Sequence, residues 1–342
     1  MNISISIIIP VYNSISFIEQ CLRSLTKQDY LFLEFIVIDD GSTDGSAKIC
    51  DEFAKKDKRF HVYHQTNQGI ASARNAGLQH VHGEYITWVD SDDYVSENWI
   101  DLIINAIIER NHPDCLLFDY SILYSGGVQP IHYMQSSQML SQDKYIYELS
   151  CDYKIHSYLW RQVIKKNIWM NCAFPENVQV MEDYQVLTKL AVRIKSIYYM
   201  HSLLYFYRQH EGSLTRSSSL SDSLQCLSIA QERYTFFSQY GYCVSKSGIS
   251  KTMLSYIYQY HKTVKLDDFQ LQFPQYKNIY RKCRQEIRRD FRCVLASNEF
   301  SGMEKIKVIL EVIFLGAAYV HFVALLPPQV KFFILKTIKI KK

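Results

Sequence analysis

Three carboxylates crowd into four positions at Asp90-Ser91-Asp92-Asp93, directly after an apolar run, residues 85–89, rich in β-branched and aromatic side chains. Such a run reads as a buried strand. Aspartate suits strands poorly and is costly to bury unpaired, so the cluster is expected just past the strand's C-terminal end. Like charges this close repel, and a divalent cation relieves the repulsion. Carboxylate oxygens suit Mg²⁺ or Mn²⁺, and these ions in turn suit a diphosphate. Taken alone, a D-x-D triplet also reads as an acidic, solvated turn that caps the following helix.

The elements that position this cluster alternate along the chain. Strands are expected over residues 4–11, 32–38, 60–65, 85–89 and 114–120. Ser16-Phe17-Ile18-Glu19 has the form of a capping box and opens a helix. Asp44 is placed to cap a helix to about Lys56, residues 69–78 form a short helix, and Ser96 is placed to cap an amphipathic helix to about Arg110. Strand–helix alternation predicts an α/β fold with a mostly parallel sheet and right-handed crossovers. Three strands end in polar clusters: Tyr12-Asn13, Asp39-Asp40 and Asp90 to Asp93. All three are therefore expected on one C-terminal edge, where open α/β sheets bind ligands. The dinucleotide fingerprint G-x-G-x-x-G is missing after the first strand, where Pro10-Val11-Tyr12-Asn13-Ser14-Ile15 stands, and no Walker A sequence occurs.

With 342 residues, 48% of them hydrophobic and 21% charged, the chain is globular and sized for one large domain or two smaller ones. Nine cysteines without C-x-x-C spacing show neither a zinc nor a disulfide framework, which fits a reducing compartment. The N-terminus lacks the layout of a signal peptide. Net charge is +4 but uneven: residues 1–120 carry a net −9 and the remainder +13. A basic half is compatible with nucleic acid or with an anionic membrane surface.

Five ordered motifs within residues 3–216 closely resemble the family 2 glycosyltransferases, inverting bacterial enzymes of the GT-A fold that build surface polysaccharides. They are Ile7-Ile8-Ile9-Pro10-Val11-Tyr12-Asn13; Val37-Ile38-Asp39-Asp40-Gly41-Ser42-Thr43-Asp44; Asn67-Gln68-Gly69 with Ala73-Arg74-Asn75-Ala76-Gly77; Asp90-Ser91-Asp92-Asp93; and Glu182-Asp183 with Tyr207-Arg208-Gln209-His210. The resemblance implies a GT-A (Rossmann-like) sheet flanked by helices. Residues 1–120 form its nucleotide-sugar half, residues 121–216 its acceptor half, and residues 217–342 a helical, basic extension. It also implies a UDP-sugar donor and Mn²⁺ or Mg²⁺ as cofactor.

The implied roles follow residue by residue. Pro10, Tyr12, Asn13, Asp40, Arg74, Asp90 and Ser91 lie on the donor side, with Tyr12 stacking on the uracil and Asp40 accepting its N–H. Arg74 reaches a phosphate or steadies the acidic cluster. Asp92 holds the metal, while Asp90 meets the ribose or the metal through water. His210 is a further ligand, a diphosphate contact or a structural residue. Asp183 is the base that deprotonates the acceptor hydroxyl. Glu182 either positions the acceptor or favours a helix N-terminus. Trp160 is an acceptor-side wall or a core residue; the family often has Lys two positions on, where Gln162 stands here. The Q-x-x-R-W signature of processive synthases is absent, which favours transfer of a single sugar.

The last third matches no family by its motifs. Residues 308–326 are apolar apart from Glu311 and His321, and Pro327-Pro328 follow. Residues 330–340 mix apolar side chains with Lys331, Lys336 and Lys339, in the manner of an interfacial amphipathic segment. Residues 303–342 are thus expected to associate with a membrane, or to form a hairpin or a homo-oligomer contact. Seven basic residues within 277–292 would face anionic headgroups. The resulting expectation is a peripheral protein on the cytoplasmic face of the cell membrane, acting on a lipid-linked saccharide and not on nucleic acid. The alternatives are a sugar nucleotidyltransferase and a non-catalytic nucleotide- or surface-binding module.

Overall fold

The computed structural model describes residues 2–151, 155–176, 178, 181–210 and 220–244, with the single residues 285 and 302. The basic stretch 277–292, apart from residue 285, and the tail 303–342 lie outside the described residues. Among the described residues no helix is long and apolar enough to cross a membrane.

Strands β1 (Ile5–Val11), β2 (Leu33–Asp39), β3 (Phe60–His64) and β4 (Tyr85–Trp88) are joined through helices α1 (Ile18–Thr26), α2 (Ser46–Lys56) and α3 (Ile70–Gln79). Then follow β5 (Tyr94–Val95), α4 (Trp99–Glu109), β6 (Cys115–Tyr124), β7 (Gly127–Ile131), β8 (Gln138–Leu140) and α5 (Gln142–Cys151). Further along come β9 (Gln162–Lys165), α6 (Glu182–Ala191), β10 (Ile197–Arg208) and α7 (Leu220–Gln239). One sheet runs in the order β3-β2-β1-β4-β9-β6-β10-β5, with β7 on β6 and β8 on β10. The strands β3, β2, β1 and β4 are parallel, as are β6 and β10. The expected α/β fold with helices flanking a largely parallel central sheet is what the chain adopts.

All seven residues of β1 are buried, as a strand covered on both faces requires. Helix α3 lies close against it: a Cβ on Gly77 would collide with Ile8, so the helix approaches only because that position has no side chain. Contacts divide the chain into two compact units, residues 1–146 with 155–216, and residues 147–154 with 217–342. In the second, the buried Arg233 of α7 donates to the Leu149 carbonyl at 3.0 Å.

Several local expectations give way to tertiary geometry. Strand β9 is antiparallel to both β4 and β6 and sits between them, a placement that periodicity in its four residues does not signal. Its buried Gln162 is satisfied by the Tyr145 hydroxyl at 2.7 Å. The capping box does not form: α1 starts after Phe17 without a side-chain cap, and Ser14 supplies the carbonyl that receives the Ile18 N–H. Helix α4 likewise starts after Asn98, with Ser96 giving its backbone carbonyl to Trp99. Asp44 acts one position earlier than a cap, receiving the N–H of Ser46 and, from across the edge, that of Ile15.

Candidate active site

Because β2, β1 and β4 are adjacent and parallel, their polar C-terminal ends share one edge. The Ile8 carbonyl accepts from Val89, so Ile8 faces β4, and Pro10, two residues on, faces the same way. Pairing between β1 and β4 stops at Ile8, so the N–H that Pro10 lacks has no ladder partner to lose. Tyr12 then emerges 51% exposed, an aromatic face open to a ligand. Asn13 turns the chain in the left-handed region (φ 47), its side-chain oxygen accepting from Thr43 N–H at 2.8 Å.

Asp40 is 3% exposed and accepts three bonds: Gln65 Nε2 at 2.7 Å, Gln68 N–H at 2.9 Å and Gly69 N–H at 2.8 Å. It thus fixes the loop that leads into α3, with its charge at that helix's positive end. Gly41 makes this possible. Its φ is +74, and a Cβ there would lie 2.8 Å from Asn67 N. Asp39 beside it is also satisfied, by Ser42 N–H at 3.1 Å and His64 Nδ1 at 2.9 Å.

The acidic loop after β4 is divided by environment. Asp93 is buried, receiving the Tyr205 hydroxyl at 2.8 Å and the Arg208 N–H at 2.7 Å. Burial and the neighbouring Asp92 and Asp90 charges push its carboxyl well above the usual range. Tyr205 also accepts the Asp90 N–H at 3.0 Å, so one hydroxyl pins both ends of the loop. Ser91 bonds Ser14 at 2.7 Å, tying the loop to the turn after β1. Asp92 is left partly exposed (27% of its side chain), with His210 Nε2 2.9 Å away. His210 packs on Phe17, and Arg208 holds the Asp92 carbonyl at 2.9 Å. Asp92 and His210 put a carboxylate oxygen beside an imidazole nitrogen, donors that Mn²⁺ or Mg²⁺ accepts, while Asp90 faces Arg74; among the described residues the three do not gather within 4.8 Å of one another.

Arg74 joins this loop to α6. Its guanidinium donates to Glu182 and lies 3.6 Å from Asp90, among Trp88 and Phe174 rings. The pair is nearly dry, with 8% and 11% of the side chains exposed. Burial, opposed by Arg74 and helped by Asp92 and Glu182, pushes Asp90 up to about 6. Asp183 follows Glu182 in the first turn of α6, its Oδ1 accepting its neighbour's N–H at 2.6 Å.

Trp160 is 4% exposed and stacks on Tyr205 at 4.4 Å and on Tyr158 at 4.8 Å, with Tyr207 at 5.6 Å. Of the two readings of this residue, core packing is the one its burial fits. Tyr158 and Tyr207 are the half-buried rings around it.

Residues 6–159 match the family described as Glycosyl transferase family 2. A sequence relative, the Streptococcus pneumoniae glycosyltransferase GlyG, is 32% identical over 222 residues, which are 62% of this chain and 73% of that protein. This chain belongs to the family 2 glycosyltransferases. EpsJ of Bacillus subtilis, an uncharacterized glycosyltransferase, is 30% identical over 69% of this chain and 70% of its own length. The S. pneumoniae glycosyltransferase GlyA is 30% identical over 71% of this chain, which spans only 36% of GlyA. Among solved structures, a fragment of Staphylococcus aureus TarS (residues 1–349) shares the fold, with a TM-score of 0.66 at 21% identity over 93% of this chain and 92% of the fragment.

Within this family 2 glycosyltransferase, sequence reasoning named the carboxylates but not what holds them. Nothing in the residues around Tyr205 marks it as the anchor of the acidic loop. The motif that contains Arg208 does not indicate that its backbone and guanidinium hold the acidic loop. Gln65, Gln68 and Gly69 carried no sign that they serve Asp40. The partners lie 25 to 116 positions apart, so no local pattern reports them.

Proposed function

We propose that this chain transfers one sugar, with inversion and with the help of a divalent metal, from a UDP-sugar to a hydroxyl of a lipid-linked oligosaccharide in surface polysaccharide synthesis. The observation that carries the reading is the Arg74 bridge, which links Asp90 of the acidic loop to Glu182, next to Asp183. In this reading the bridge keeps a donor-side carboxylate next to an acceptor-side one.

In this reading Tyr12 stacks on the uracil. Asp40 has roughly one acceptor position beyond its three donors for the base N–H. The likeness in fold to a TarS fragment crystallised with UDP-GlcNAc is in keeping with a UDP-sugar donor. Asp92, Asp90 and His210 would hold Mn²⁺ or Mg²⁺, which when bound supplies Lewis-acid stabilisation of the departing diphosphate. Asp183 takes the proton of the acceptor hydroxyl as that oxygen attacks the anomeric carbon. Attack opposite the leaving group inverts the centre, by the logic of a single displacement. Glu182, engaged by Arg74, positions rather than deprotonates. Trp160 backs an acceptor-side wall whose outer rings are Tyr158 and Tyr207. The lipid-linked acceptor and the cytoplasmic membrane face rest on the sequence of residues 277–292 and 303–342.

The test is thermal denaturation with UDP, with and without Mn²⁺ or Mg²⁺, followed by a panel of nucleotide sugars assayed for metal-dependent hydrolysis. UDP is expected to raise the melting temperature only with metal, and no metal-dependent shift with any nucleotide overturns the reading. Asp183→Asn is expected to keep UDP binding and lose transfer; surviving transfer removes Asp183 from the role of base.

A further inference from the structure

A second cluster of ligating groups sits away from the acidic loop and shares no residue with it. Asp119, in the middle of β6, is fully buried. Its Oδ2 is approached by three groups at once: the Tyr199 hydroxyl at 2.6 Å, His132 Nδ1 at 2.8 Å and His201 Nδ1 at 3.4 Å. One ligand atom from each of Asp119, His132 and His201 lies within 4.8 Å of the other two. The two imidazole rings are 4.4 Å apart and tilted by 31°.

We propose that Asp119, His132 and His201 form a site for a divalent transition metal, with Zn²⁺ its first choice, bound through one carboxylate oxygen and two imidazole nitrogens. Two nitrogens and one oxygen are a donor set suited to Zn²⁺, which prefers four ligands and accepts solvent as the last. His132 and His201 are 38% and 35% exposed, and a cavity of about 390 Å³ lined by His132, Tyr133, Met134, Gln135 and His201 opens beside them. Entry and a fourth ligand are thus available. The outer partners of the carboxylate are in place too. Tyr199 donates to Oδ2, Tyr133 N–H donates to Oδ1 at 3.2 Å, and Arg161 stands 4.0 Å from Oδ1. Such bonds orient a ligating carboxylate.

The site fastens the connection between β7 and β8, which carries His132, to β10. His201 lies between Met200 and Leu203, where the register of β10 against β6 shifts. Bulges of this kind re-aim the side chains that follow. The same strand then delivers Tyr205 and Arg208 to the acidic loop.

The experiment uses the full chain, stripped of metal with a chelator and then titrated with Zn²⁺ or Co²⁺ at neutral pH. One equivalent of Zn²⁺ is expected to raise the melting temperature by several degrees, and Co²⁺ to give the visible d–d band of a four-coordinate site. Both effects are expected to be lost in His132→Gln and in His201→Gln, and kept in Asp92→Asn. The Co²⁺ spectrum of the unsubstituted protein decides even where a variant does not fold. No band and no thermal shift overturns the proposal. So does a response that survives His132→Gln and His201→Gln, or one that Asp92→Asn abolishes.

Discussion

Arg74 and Glu182, 108 positions apart in the chain, form a buried ion pair that joins helix α3 to the first turn of α6. Arg74 also stands 3.6 Å from Asp90, so one guanidinium balances carboxylates on both sides of the site. Removing one member of a buried pair leaves the other charge uncompensated. Arg74→Met is expected to lower unfolding free energy by about 3–5 kcal/mol in urea titrations. Arg74→Met combined with Glu182→Leu is expected to recover part of that loss, because Glu182 is then no longer stranded while Asp90 still lacks its counter-charge. Transfer activity is expected to stay low in both variants, which separates the pair's effect on folding from its effect on the site.

Asp92 and His210 are 2.9 Å apart on the exposed side of the acidic loop. If both hold the metal, Asp92→Asn and His210→Gln each weaken metal-dependent UDP binding and reduce kcat by about a hundredfold, equivalent to roughly 3 kcal/mol of charge stabilisation. Calorimetric titration of Mn²⁺ in the presence of UDP measures this. A His210→Gln variant with unchanged Mn²⁺ affinity leaves His210 a packing residue on Phe17.

Asp40 serves the fold before it serves a ligand, since its three donors come from residues 65, 68 and 69. Asp40→Asn replaces an acceptor oxygen by a donor facing N–H groups. A loss of about 1–3 kcal/mol is expected without any nucleotide present, read from denaturant unfolding. Faster amide exchange at Gln68 and Gly69 is expected to accompany it.

His64 provides a pH dependence of stability. Its bond to Asp39, with help from Asp51, raises its titration above the ordinary 6.5. The folded state therefore holds this proton more tightly than the unfolded chain. The resulting stabilisation is full below the ordinary value and is lost as pH rises through the raised one. The melting temperature of the unsubstituted protein, minus that of His64→Gln, is expected to fall across that window. A difference that is flat with pH excludes the coupling.

The sequence by itself determined the α/β alternation, the strands that end in Tyr12, Asp40 and Asp90, and the candidates at Asp92, Asp183 and His210. The alternation and the polar strand ends are local facts, since hydrophobic period, turn formers and the cost of burying an aspartate within a strand are all read within a few residues; Asp183 and His210 became candidates through the resemblance of their motifs to the family. Only the tertiary structure decided that Asp93 is a buried anchor for Tyr205 and Arg208, that Asp40 organises a loop, and that Trp160 lies inside a stack of rings. It also decided that β9 enters the sheet antiparallel and that Asp119, His132 and His201 converge. Each of these depends on partners that chain folding brings together from tens to more than a hundred positions away. A carboxylate's role follows from its donors and its exposure, and neither is written in its neighbours along the chain.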